Sequence, residues 1–171
     1  RPHLGRSARP CRALPLARWS LVSKHLLQRI YGTMISSSPD PVSALILVDT
    51  AVAMIGQSDT CPFCEVMLAV TAVIACADVG DVDNAERYLS VATASAARWD
   101  GTAWEAAVFE ARAHLAKAQG DHEEFLRLID EATSLFHMAG QPLDAARIEG
   151  TRVNAEPPSE AEGVTSGAIR I

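Results

Sequence analysis

Cys61-Pro62-Phe63-Cys64 places two thiols three positions apart, at the head of a long apolar run from Phe63 to Val79. A thiol at the start of a helix has its thiolate favoured by the helix dipole, so the pair could cycle between dithiol and disulfide. The same two sulfurs could instead supply half of a tetrahedral zinc site, which needs further Cys or His ligands. Cys76 is a poor third ligand, because at ~1.5 Å rise per residue a shared helix sets it about 18 Å from Cys64. A distant His25, His114 or His137 would be required. The plainest alternative is a pair of thiols that caps and packs the start of a helix.

A second constellation is Glu110, His114 and Lys117, which follow i, i+4, i+7 and form one ionisable strip on an otherwise apolar helix. Packing alone does not call for three such groups there, so the strip is either a solvated face or part of a binding groove. Trp99 and Trp104 bracket a short Asp100-Gly101 turn, where they would plug the junction between two hairpins or form a ligand cage. Glu123-Glu124 and Asp130-Glu131 are most simply solvated faces. No paired-carboxylate, Ser-His-Asp or metal-helix motif is visible, so no catalytic residue, cofactor or enzymatic activity is expected.

The elements that must carry these groups are marked by Gly80, Gly101, Gly120 and Gly140, spaced at intervals of about twenty residues. The runs between them lack proline and carry apolar residues at helical spacing, so each glycine is expected to stop a helix in the left-handed backbone conformation. Gly80-Asp81 and Gly120-Asp121 occupy the same phase about forty residues apart, which makes a helical hairpin the repeating unit. Phe63 to Val79 is apolar on nearly all sides and must be covered on both faces. The stripes of Val82 to Trp99, Thr102 to Gln119 and His122 to Met138 predict three more helices, and Leu143 to Val153 a short terminal one. Upstream, Asp40 and Pro41 suit a helix start, and Val42 to Ile55 favours helix, although Leu45-Ile46-Leu47-Val48 could be a buried strand. A short helix is expected over Leu21 to Tyr31, with Gly32 ending it.

Composition frames the whole. At 171 residues, 49% hydrophobic and only 5% aromatic, the chain can build one core, packed through alanine, valine and leucine. The net charge of -6 conceals an asymmetry: residues 1–30 carry Arg1, Arg6, Arg9, Arg12, Arg18, Lys24 and Arg29 and no acid. The rest is therefore acidic, which disfavours nucleic-acid binding through it. The expected division is a basic, irregular N-terminal segment with one short helix over 1–40, a helical array over 41–153 and a disordered tail over 154–171. The Met-less, Arg-rich start suggests the edge of a longer chain. Four cysteines without a secretory signal suggest free thiols and a cytoplasmic setting, and Val66 to Ala77 is too short to span a bilayer.

The phase Gly80, Asp81, Ala85 resembles the tetratricopeptide (TPR) repeat, in which glycine closes helix A and a small residue lets helix B approach it. The second repeat departs from that pattern, with Phe125 where the family places alanine and a period of about forty residues instead of ~34. The resemblance implies an all-α, TPR-like array of antiparallel hairpins, two to three repeats in a right-handed superhelix. It places Met67, Val70, Ile74, Glu110, His114 and Lys117 in an inner groove that takes a protein or peptide partner, a second copy of the chain included. The alanine-rich repeats, with Gly101-Thr102-Ala103-Trp104 and Gly140 to Arg147, are similar to the C-terminal arrays of large bacterial LuxR-type and signal-transduction ATPase regulators. That similarity implies an interaction or regulatory module of a larger signalling or transcription regulator. No phosphate loop or helix-turn-helix is present to carry nucleotide or DNA binding. The rival expectation is a thiol-redox or zinc-binding domain, since Cys61-Pro62-Phe63-Cys64 resembles the glutaredoxin redox pair, with Leu45 to Val48 as a first strand.

Overall fold

The computed structural model describes residues 21–56, 61–99 and 103–155. Seven helices occupy them: α1 (Leu21–Ser36), α2 (Pro41–Ile55), α3 (Glu65–Asp78), α4 (Val82–Ala96), α5 (Ala103–Ala118), α6 (His122–Met138) and α7 (Pro142–Ala155). No strand occurs among the described residues, and Leu45 to Val48 lies inside α2. The all-α expectation therefore holds, and the sheet that a glutaredoxin-like fold would need is missing from this part of the chain.

The junctions explain why the helices fall where they do. Gly80, Gly120 and Gly140 have φ of 80°, 81° and 70°, a region open to glycine because it has no Cβ. At each, the residue after glycine reaches back across the turn. The N–H of Asp81 donates to the Cys76 carbonyl, that of Asp121 to Ala116 and that of Gln141 to Phe136, all at 2.9 Å. These bonds satisfy carbonyls that a helix end leaves orphaned. The following aspartate then starts the next helix: the Asp81 carboxylate accepts from the Asn84 N–H (3.2 Å) and that of Asp121 from the Glu124 N–H (3.0 Å). Asp40 does the same for α2, accepting from the Ser43 N–H at 2.9 Å ahead of Pro41.

Packing follows a simple rule. Each helix meets its chain neighbours, and α3 also packs on α1 and α5, so α1, α3 and α5 form one layer. α3 is covered on both faces, as its apolar circumference demands. Val66, Val70, Val73 and Cys76 enter the main core with Phe125, Leu128, Ile129 and Ile148, while Ala72 and Ala75 enter a smaller one with Ile35, Ala44 and Val48. Buried alanines at 69, 85, 92, 106, 111, 113 and 132 keep the axes close.

Two boundaries differ from expectation. Gly32 does not end α1, which continues to Ser36. It is buried against α3, where a Cβ would collide with the Met67 carbonyl oxygen and stand 3.0 Å from its carbon. The glycine is there for close approach between helices, not for a left-handed turn. At the other end α7 extends through Asn154 to Ala155, into the stretch expected as tail. The readings made for residues 1–20, for Gly101 and its turn, and for 156–171 lie outside the described residues.

Candidate functional site

The layer of α1, α3 and α5, continued by α7, borders a cleft of about 810 Å3. α3 contributes Met67, Val70, Ile74 and Asp78, one side chain per turn of a single face. α5 contributes Trp104, Ala107, Glu110 and His114 by the same periodicity. Arg29 and Gly32 come from α1, and Asp144 and Arg147 from α7. Five of the six residues assigned to a groove from sequence, Met67, Val70, Ile74, Glu110 and His114, thus lie together on one concavity.

Lys117 does not line it. In the last turn of α5 the neighbouring surface is already α6, and the ammonium rests 5.8 Å from the centroid of the buried Phe125 ring. Nor are Glu110 and His114 a free ionisable strip. Glu110 is 5% exposed, and its carboxylate accepts a two-pronged hydrogen bond from Arg147, with Nη2 to Oε2 at 2.9 Å. Arg147 also reaches Asp144 at 3.3 Å. The Glu110 hydrogen bond, outweighing the burial that opposes it, holds the guanidinium well above its ordinary pKa. His114 Nδ1 lies 2.8 Å from Asp78 Oδ1. Each pair links consecutive helices of the layer, α3 to α5 and α5 to α7. The sequence pattern missed Arg147 and Asp144 as cleft residues, although their i, i+3 spacing just after Gly140 puts them on one face of α7.

The second assembly is at the other end of α3. Cys61 and Cys64 frame a tight turn in which the Cys61 carbonyl accepts from the N–H of Cys64 (2.9 Å) and of Glu65 (3.1 Å). Residues in and just after α4 fix the turn. Ser95 Oγ donates to the Pro62 carbonyl at 2.6 Å and accepts from the Val66 N–H at 3.0 Å, and Trp99 Nε1 donates to the Phe63 carbonyl at 2.7 Å. The Phe63 and Trp99 rings meet edge to face, 6.0 Å between centroids. Trp99 is thus committed to the turn, whereas Trp104 lines the cleft.

From α1, His25 brings Nδ1 to 3.1 Å from Cys64 Sγ. The ligating atoms of His25, Cys61 and Cys64 all lie within 4.8 Å of one another. His114 and His137, the other distant histidines considered, are paired elsewhere, with Asp78 and with Glu149. Burial pushes the Cys64 thiol above the ordinary range, and the hydrogen bond and charge of Cys61 push the same way against the weaker pull of Arg29. Cys61, Cys64 and Cys76 are free thiols, and Cys76 is buried in the main core.

Comparison with protein-family models, with curated proteins and with solved structures gives no match.

Proposed function

We propose that this chain is an interaction scaffold, a TPR-like right-handed array of helical hairpins whose inner groove takes a segment of a partner protein. The observation that carries the reading is the cleft itself: apolar side chains (Met67, Ile74, Trp104) and charged ones (Asp78, Asp144, Arg147) share one concavity walled mainly by α1, α3, α5 and α7. The repeated glycine-aspartate junctions support the hairpin array, since they give two successive units the same exit and entry geometry. The regulatory half of the proposal, a module of a larger bacterial signalling or transcription regulator, rests on the sequence resemblance. Among charged cleft residues Asp40, Asp78, Glu110 and Asp144 outnumber Arg29 and Arg147, so the favoured segment combines apolar anchors with flanking cations.

Two labelled peptides of equal length test this, one pairing leucine with lysine and the other leucine with glutamate. Fluorescence anisotropy should show the cationic peptide binding, and Ile74→Arg should weaken it at least about tenfold, because it sets a charge among the apolar anchors. Attraction to the overall negative charge would survive that substitution. Equal binding of both peptides, or indifference to Ile74→Arg, would sink the groove assignment.

A further inference from the structure

The geometry points to a zinc site in which His25 of α1 joins Cys61 and Cys64 at the head of α3, with the fourth position left to solvent. We propose that the bound ion clamps α1 onto α3; the inference is independent of what the cleft binds.

Three observations carry it. The first is the coincidence of ligand types. His25 is separated from the thiol pair by the whole of α2, yet its Nδ1 sits 3.1 Å from Cys64 Sγ, and all three donor atoms fall within 4.8 Å of one another. Zinc bonds of about 2.3 Å to sulfur and 2.0–2.1 Å to nitrogen imply tetrahedral edges of roughly 3.5–3.8 Å, so small side-chain adjustments close the set around one ion. The second is rigidity. The turn that holds the thiols has its Pro62 and Phe63 carbonyls taken by Ser95 and Trp99, and α1 is held against α3 at Gly32. A ligand set fixed by surrounding hydrogen bonds is what metal affinity depends on. The third is access: all three ligands are half-buried, which leaves room for a water in the fourth position.

The chemistry selects the ion. Two thiolates and an imidazole suit Zn2+ and disfavour Mg2+ or Ca2+, which take oxygen ligands. On binding, each thiol loses its proton to solvent, and His25 coordinates in its neutral form, so the site of one Zn2+ and two thiolates carries no net charge. The rival use of the two sulfurs is a disulfide, which would give His25 no part.

The test uses the full chain, purified reduced and then titrated with Zn2+ and, separately, Co2+. One equivalent should bind, and the cobalt form should show thiolate-to-metal charge-transfer bands with the intense d–d absorption of tetrahedral geometry. Cys61→Ser, Cys64→Ser and His25→Ala should each lower affinity by more than the about 10–100-fold that loss of an outer partner costs. Cys76→Ala, which touches none of the ligands, should leave affinity unchanged. Far-UV circular dichroism checks that each variant stays helical, and the wild-type cobalt spectrum reports thiolate ligation and tetrahedral geometry even if a variant unfolds. The proposal fails if no stoichiometric metal binds, if the cobalt spectrum lacks thiolate bands, if His25→Ala binds like wild type, or if a Cys61–Cys64 disulfide forms in a reducing glutathione buffer.

Discussion

Cys76 shows how packing can silence a reactive group. It is 1% exposed in the main core, and burial, with a smaller push from the charge of Asp81, raises its thiol to about 11. Thiol reagents attack the thiolate, so Cys76 should resist maleimide at pH 8 in the native chain and react fully once denaturant is added; labelling at native rates comparable with a free thiol would contradict its placement. The sign of its pH effect follows. A thiol that ionises later in the folded state holds its proton when the unfolded chain has lost it, so stability should fall as pH rises from about 9 toward 11. Thermal melts across that window should show a shallower decline for Cys76→Ala. Its place in the apolar run from Phe63 to Val79, which must be covered on both faces, made that burial legible from sequence. The partnership of His25 with Cys64 was legible only as one of three candidate histidines, since no spacing rule links residues on separate helices.

At the scale of elements, α1 depends on one missing Cβ. Gly32 lets the helix backbone lie against the Met67 carbonyl, and Gly32→Ala would push α1 away from α3. Replacement by alanine ordinarily helps a helix by about 1 kcal/mol, so the sign of the measured change separates the two roles. We expect a net loss of about 1–3 kcal/mol in denaturant unfolding, the usual cost of forcing extra atoms into a filled space. A stabilised variant would mean that α1 is not seated there. From sequence, Gly32 was expected to stop α1, since a glycine that ends a helix and one that admits a neighbour carry the same letter. The glycines at 80, 120 and 140 were legible because each is followed by a residue that opens the next helix, Asp81, Asp121 or Gln141-Pro142. Gly32 is followed by Thr33 and more helix.

Over the whole molecule, the layer of alternate helices is tied by polar side-chain pairs that skip one element. Glu110 is buried, so removing its partner leaves a desolvated carboxylate: Arg147→Met should cost about 3 kcal/mol, and adding Glu110→Gln should return part of it. Additive losses in that double variant would show that the pair is not coupled. The ionisable strip was visible in the sequence, but its purpose was not, because the group that neutralises Glu110 lies in a helix that chain order places two elements away. The stacking carries a mechanical consequence. Opening the cleft would separate α3, α5 and α7, and its wall is crossed by Glu110–Arg147 and Asp78–His114. Those pairs would act as latches when the helices are pulled apart along that wall. The cleft should therefore resist widening more than narrowing, since widening alone must break those two side-chain bonds.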